Sequence, residues 1–126
     1  MLNVQDALKL QSLGVDGLQV SSHGGRQLDS APPPIELLAK IRAAVGADFP
    51  LFFDSGIRSG EDIVKAYACG ADYVFIGRPF LFAIAAEGEA GLQSLKRVLT
   101  EETSITLAQL GMCSIREVND AVIYRR

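Results

Sequence analysis

Amphipathic stretches alternate with short, uniformly apolar runs along the chain. Apolar positions recur at helical spacing in residues 4–13 and 34–45, and a third helix is expected from Ser59 to Gly70. Three apolar runs of strand length lie between and after these helices, at residues 15–21, 50–54 and 73–76. Strands that are apolar throughout and alternate with helices favour a parallel sheet covered by helices.

The ends of these elements carry residues that commonly start and stop helices. Asn3 and Ser59 are candidate N-caps, and Glu61 and Asp62 fall in a first turn, where the helix dipole favours negative charge. A glycine follows each of the three helices, and each glycine sits in a similar tetrapeptide: Leu13–Asp16, Val45–Asp48 and Cys69–Asp72. The repeat joins a helix end to a strand start, as in successive βα units.

Beyond the third strand the pattern becomes helical. We expect one helix over Leu81–Ala86 and another over Gly91–Leu110, the second with the apolar stripe Leu92, Leu95, Val98 and Leu99. Ser114–Glu117 has the spacing of a capping box, which predicts a short last helix.

Composition limits the classes of function. The 126 residues are 48% hydrophobic and 21% charged, which is ordinary for one globular domain. A net charge of −3 argues against a nucleic-acid binder, so an acidic small molecule would need local arginines. Cys69 and Cys113 have no metal-type spacing, and we expect a reduced, cytoplasmic chain. No apolar run reaches the roughly 20 residues that span a bilayer, although Tyr73–Ala86 leaves peripheral association with the inner membrane open.

Polar residues with catalytic potential follow each predicted strand. His23, the single histidine, and Arg26 come after the first strand, Asp54–Arg58 after the second, and Gly77–Arg78 after the third. Histidine titrates near neutral pH, and arginine binds carboxylate or phosphate through two parallel hydrogen bonds. A surface loop that happens to contain a histidine is the alternative interpretation.

The second and third of these loops have features of a phosphate site. Gly56 and Gly77 would let backbone N–H groups approach a phosphate, Arg58 and Arg78 would supply positive charge, and helices start near both arginines. A Gly-Arg-Pro turn is also an ordinary helix start. For Asp54 two roles remain open, a cap for strand-end amides or an acceptor for cofactor hydroxyl groups.

Three motifs, Ser22–Asp29, Asp54–Arg58 and Gly77–Pro79, together resemble the C-terminal part of the FMN-dependent α-hydroxy-acid dehydrogenases and oxidases. That family includes L-lactate dehydrogenase, glycolate oxidase and mandelate dehydrogenase. The resemblance implies an α/β fold, namely the C-terminal part of a TIM (β/α)8 barrel with about three parallel strands, flanking helices and a helical C-terminus. It also implies FMN as cofactor and the oxidation of an L-2-hydroxy acid, such as L-lactate, to the 2-oxo acid.

The resemblance also implies residue roles. His23 would take a proton from the substrate and Arg26 would clamp the substrate carboxylate. The FMN ribityl phosphate would be held by the second and third loops, through Asp54, Ser55, Gly56, Ile57, Arg58, Gly77 and Arg78. One departure is Ser22, where family members usually have asparagine.

A complete barrel takes about 250 residues. We therefore expect residues 1–126 to form a single partial domain, truncated at its N-terminus, with weak or absent catalysis as an isolated chain and a homo-oligomeric full-length form. The alternatives are a non-catalytic flavin- or phosphate-binding partial barrel, including one completed by a second chain, and another FMN barrel such as type 2 isopentenyl-diphosphate isomerase. The stretch from His23 to Arg26 argues against the isomerase.

Overall fold

The computed structural model describes residues 3–124, so residues 1–2 and 125–126 of the predicted domain lie outside the described part. Three parallel strands lie in the order β1–β2–β3 and are connected by helices, which confirms the predicted βα units. The elements are α1 (Val4–Ser12), β1 (Leu18–Val20), α2 (Pro34–Val45), β2 (Leu51–Phe53), α3 (Gly60–Ala68), β3 (Tyr73–Val74) and α4 (Arg78–Gln109). Three short 3₁₀ turns complete the described chain, at His23–Gly25, Ile115–Glu117 and Asp120–Val122.

Helices cover one face of the sheet. Leu18 and Val20 of β1 and Leu51 and Phe53 of β2 point toward them and are buried. The core is completed by small and aliphatic side chains from the helices and loops: Ala7, Leu38, Ile41, Val45, Ile57, Ala66 and Ala71. The alternation of side chains along each strand therefore sends every second residue away from the helices.

We call the other side of the sheet the open face, formed by Gln19, Phe52, Tyr73 and Phe75. The first three are paired in register across the strands. The Phe75 ring centroid lies 6.1 Å from that of Phe52 and 5.3 Å from that of Tyr73. Tyr73 and Phe75 are nevertheless 54% and 46% exposed. The expectation of helical cover thus holds for one face only, and the other presents an aromatic cluster.

The predicted helix boundaries hold with small changes. The Asn3 side chain accepts a hydrogen bond from the Gln5 N–H, and Gly46 ends α2 with a φ of +89°, where other residues would be strained. Leu13, expected on the apolar face of α1, is instead its C-cap and is 69% exposed, because α1 ends at Ser12.

The long helix α4 contains the break that the sequence predicts between two helices. Glu87 and Gly88 have non-helical backbone angles, so two helical segments meet at that point. The segments pack closely, because a Cβ added to Gly91 would lie 2.0 Å from the Ala83 carbonyl oxygen. The first segment begins at Arg78, three residues before the predicted start at Leu81.

The short last helix predicted after Ser114 forms only as a 3₁₀ turn, Ile115–Glu117, with Ser114 as its N-cap. Ser114 does cap a turn, but its side chain accepts from the Arg116 N–H, and the Glu117 carboxylate accepts from the Cys113 N–H at 3.4 Å. The turn is not extended into an α-helix, since Val118 already has extended backbone angles. Ser114 and Glu117 therefore stabilise a single turn, which ends at Val118.

Arg42 links the ends of several elements on the side of the sheet where the strands begin. Its Nε donates to the Gly70 carbonyl and its Nη2 to the Asp72 carboxylate, which also accepts from the Leu51 N–H. Its Nη1 donates to three carbonyl oxygens near the end of α2, those of Gly46, Ala47 and Phe49. One side chain therefore joins α2 to the starts of β2 and β3.

Candidate active site

The loops that follow the three strands meet at the carboxyl edge of the sheet. The Ser55 hydroxyl, after β2, accepts from the N–H groups of Ser22 and Gly24, after β1, at 3.2 Å each. The Arg78 guanidinium, after β3, donates to the Gly24 carbonyl at 3.3 Å. Loops from β1 and β3 thus touch although β2 lies between the strands, and the three motifs identified in the sequence form one surface.

His23 opens the 3₁₀ turn of the first loop. Its backbone has a φ of +53°, and its N–H donates to the Ser21 hydroxyl at 2.9 Å. The His23 side chain is exposed at the carboxyl edge of the sheet. Arg26 ends the same turn, with its N–H directed at the His23 carbonyl at 3.4 Å, and its side chain is also exposed. Both groups can therefore reach a molecule bound at this edge.

Asp54, directly after β2, is held by side chains. One carboxylate oxygen accepts from the Gln19 amide at 2.9 Å, and the other accepts from the Ser55 hydroxyl at 3.2 Å. Both of these partners are side chains. The contacts of Asp54 therefore differ from the alternative considered from the sequence, in which its carboxylate caps strand-end backbone amides. Asp54 instead bridges the open face of the sheet to the loop that carries Ser55.

Gly56 and Gly77 leave room for a ligand. A Cβ added at either position would meet nothing within 4 Å, and Gly56 in addition has a φ of +87°, which favours glycine. The side chains of Arg58 and Arg78 are exposed beside them. Two cations and two unobstructed backbone positions are chemically suited to a phosphate group.

The two helix N-termini near these arginines differ. At α3, the Asp62 carboxylate accepts from the N–H groups of Arg58 and Ser59, and Glu102 accepts from the Gly60 N–H at 2.8 Å. The amides that lead into α3 therefore already have acidic partners, contrary to the expectation that this helix start would face a phosphate. The N-cap of α4 is Gly77, which has no side chain to cap the helix. The α4 terminus is therefore the better anion site of the two.

Ile57, included with the predicted cofactor residues, is buried in the hydrophobic core, so only its backbone can face the site. Conversely, sequence reasoning missed the contact of Ser21 with the His23 N–H and that of Glu102 with the start of α3. Neither residue lies within the three motifs identified in the sequence. Glu102 lies 42 positions from its partner in the chain, and no local pattern reports such a contact.

The titratable groups with shifted pKa values lie away from this edge. Burial, assisted by the nearby Tyr73 and Asp72, raises the pKa of the Tyr67 hydroxyl, and a hydrogen bond to Glu61 raises the pKa of Lys65. Within residues 3–124 no cluster of His, Cys, Asp and Glu is suited to hold a metal ion. In the same part of the chain, no helix has the length and apolarity needed to cross a membrane.

Parallel βα units with polar loops gathered at the carboxyl edge of the strands are the arrangement found in segments of (β/α) barrels. The sequence matches the FMN-dependent dehydrogenase family over residues 1–125, and the chain belongs to that family. The family is FMN-dependent, and its members are hydroxy-acid dehydrogenases and oxidases. The predicted family and fold class are thereby confirmed.

Two curated relatives illustrate the match. The chain is 43% identical over 118 residues to an L-lactate oxidase of Alicycliphilus denitrificans, covering 94% of this chain and 32% of that protein. It is 42% identical over 124 residues to glycolate oxidase 1 of Oryza sativa subsp. indica, covering 98% of this chain and 34% of that protein. The chain therefore spans about a third of the length of these relatives.

The fold matches that of a soluble mutant of the membrane-associated (S)-mandelate dehydrogenase from Pseudomonas putida. The TM-score is 0.94 at 40% sequence identity, over 100% of this chain and 36% of the other. Lactate, glycolate and mandelate enzymes thus resemble the chain to similar degrees. None of these relatives is an isopentenyl-diphosphate isomerase, the other FMN barrel considered from the sequence.

Proposed function

We propose that this chain carries the catalytic loop and the FMN phosphate site of an enzyme that oxidises an L-2-hydroxy acid, such as L-lactate, to the 2-oxo acid. The observation that carries the proposal is the contact of three strand-end loops through Ser55, Gly24 and Arg78. This contact brings His23, the proposed base, and the two arginine loops, the proposed phosphate site, to the same edge of the sheet. FMN, when bound there, supplies the acceptor for the two electrons of the oxidation.

His23 is the proposed base. It is exposed at the carboxyl edge of the sheet, where an imidazole nitrogen could accept a proton from a bound substrate. Arg26, on the same 3₁₀ turn, would hold the substrate carboxylate with two parallel hydrogen bonds. The two roles require the side chains to face one substrate, and their common turn supports this.

The proposed cofactor residues are those of the second and third loops. Arg58 and Arg78 would neutralise the phosphate, and the backbone of Gly56 and Gly77 would approach it from the unobstructed side. Asp54 would accept from cofactor hydroxyl groups. Ser55 and Ile57 would contribute mainly through the backbone, because the Ser55 hydroxyl is engaged with the first loop and the Ile57 side chain is in the core.

In this proposal, only a complete barrel, of which this chain is a part, turns over the substrate. The chain spans about a third of its relatives. Within the described residues each outer strand pairs with β2 alone, and Tyr73 and Phe75 of the open face are about half-exposed. Further strands would cover that face and complete the substrate pocket. We propose that the complete protein is a cytoplasmic homo-oligomer. Peripheral binding to the inner membrane is the alternative, since one similar protein of known structure, an (S)-mandelate dehydrogenase, is a monotopic membrane protein.

A chimera tests the proposal. The matching C-terminal region of the P. putida (S)-mandelate dehydrogenase is replaced by this chain, and FMN content and anaerobic flavin bleaching by L-2-hydroxy acids are measured. We expect His23→Ala to lower turnover by roughly 10²–10⁴-fold with FMN retained, as for loss of a general base. Arg78→Ala should weaken FMN retention, and Arg97→Ala, on the exposed side of α4, is the matched control.

A non-catalytic flavin- or phosphate-binding partial barrel is the competing function. It keeps the arginine loops but gives His23 no chemical role. Under this alternative, His23→Ala in the chimera would leave turnover within about twofold of the parent. That result, with FMN bound normally, would refute the proposed oxidation mechanism.

A further inference from the structure

Ser55 joins the loop after β2 to the loop after β1. Its Oγ accepts from the N–H groups of Ser22 and Gly24 and donates to the Asp54 carboxylate, all at 3.2 Å. A hydroxyl group offers one donor and two acceptor sites. The three contacts therefore use its whole hydrogen-bonding capacity.

The backbone at Ser55 is in a conformation that suits glycine better than serine. Among the non-glycine residues that the structure describes, only His23 and Ser55 have a positive φ, +53° and +86°. A side chain at such an angle costs free energy that glycine avoids. The backbone conformation at this position therefore does not favour serine. The feature that serine has and glycine lacks here is the hydroxyl group.

The two amides bound by Ser55 lie on either side of His23. The His23 N–H itself donates to the Ser21 hydroxyl at 2.9 Å, so three consecutive N–H groups, from Ser22 to Gly24, end on serine oxygens. This pattern fixes the backbone of the turn from which the imidazole projects. Without the Ser55 hydroxyl, two of these part-buried donors would lose their protein partner.

We propose that Ser55 is a positioning residue, whose hydroxyl holds the His23 turn and couples its geometry to the proposed phosphate loop, Asp54–Arg58. The importance of the turn for catalysis rests on the proposed function of His23. The coupling between the loops does not, because it concerns only contacts within the chain.

Two substitutions separate positioning from a general contribution to stability. Ser55→Ala removes the hydroxyl and keeps a side chain at positive φ, so it should loosen the turn and also lower the stability of the chain. Ser55→Gly removes the hydroxyl and relieves the backbone. It should loosen the turn equally while lowering the urea midpoint of unfolding less than Ser55→Ala does.

The test uses the chain itself and nuclear magnetic resonance. Amide hydrogen exchange is measured at Ser22 and Gly24, together with the His23 Cε1–H signal, which is unambiguous because the chain has one histidine. We expect exchange at both amides to become roughly tenfold faster in both variants, as for the loss of an ordinary hydrogen bond, and the His23 signal to shift. The control is Ser94→Ala, an exposed serine on α4.

The Ser55→Gly variant decides the outcome even if Ser55→Ala does not fold. Parental exchange at Ser22 and Gly24 with an unchanged His23 signal in Ser55→Gly would overturn the proposal. So would faster exchange spread uniformly over the core strands, which would indicate a global loss of stability. The result is independent of the chimera: failure to oxidise hydroxy acids there would refute the role of His23 and leave the coupling of the loops intact.

Discussion

Replacing Arg42 with lysine should destabilise the chain although the charge is kept. The Arg42 guanidinium donates to five oxygens: the carbonyls of Gly46, Ala47, Phe49 and Gly70, and the Asp72 carboxylate. Lysine concentrates its three donors at one point and cannot span acceptors that surround a planar group. At least two of the five bonds should therefore be lost.

The size of the effect follows from these contacts. Asp72 is 51% exposed, so the ion pair contributes little, about 0–1 kcal/mol. The bonds to carbonyl oxygens matter more, because Arg42 is only 17% exposed and each lost bond costs about 0.5–1.5 kcal/mol or more when the acceptor is left without a partner. We expect Arg42→Lys to lower the free energy of unfolding by about 2–3 kcal/mol.

Urea unfolding followed by far-ultraviolet circular dichroism measures this loss, since the chain contains no tryptophan to serve as a fluorescent probe. Arg97→Lys is the matched control. Arg97 is 73% exposed and pairs only loosely with Glu101 at 3.7 Å, so its replacement should cost less than about 0.5 kcal/mol. Equal effects of the two substitutions would refute the inference that Arg42 holds α2, β2 and β3 together.

Three further predictions concern α3 and its surroundings. Gly60→Ala should lower the free energy of unfolding by about 1–3 kcal/mol, although alanine normally favours helices, because the added Cβ would lie 2.2 Å from the Thr103 backbone nitrogen. Ser59→Ala should cost about 1 kcal/mol, because it removes half of the capping box with Asp62. Tyr67 has a raised pKa, so the unfolded state ionises first as pH increases. Stability should therefore fall above about pH 10, and less steeply in Tyr67→Phe.

Urea unfolding also measures these three effects, and each has a matched control. Gly77→Ala, where a Cβ meets nothing within 4 Å, should be nearly neutral, and a stabilising Gly60→Ala would contradict the close packing of α3 on α4. Ser94→Ala is the control for the Ser59 cap. An equal loss in the free energy of unfolding in Ser94→Ala would contradict a stabilising role for the cap. Tyr124→Phe, at an 86% exposed tyrosine, should retain the steep loss of stability at alkaline pH. An equally steep loss in Tyr67→Phe would contradict the inferred effect of burying Tyr67.

Local sequence determined the order and type of the elements. Helical periodicity, the Asn3 and Ser59 caps and the glycine after α2 act within a few residues, so each could be predicted without knowing the fold. The three polar motifs could also be assigned to strand ends, because strands that are apolar throughout pair in parallel and present their carboxyl ends together. Strand lengths were less predictable: β3 has two residues, where four were expected.

Only the tertiary structure decided how the loops hold one another. Ser55 binds amides 31 and 33 positions away, Arg42 binds oxygens up to 30 positions away, and Glu102 caps a helix 42 positions earlier. The sequence predicted a histidine loop and an arginine pair for the site. It could not predict that a serine at a positive φ would join them, because periodicity and capping report neighbours along the chain, whereas such contacts arise only when βα units pack side by side.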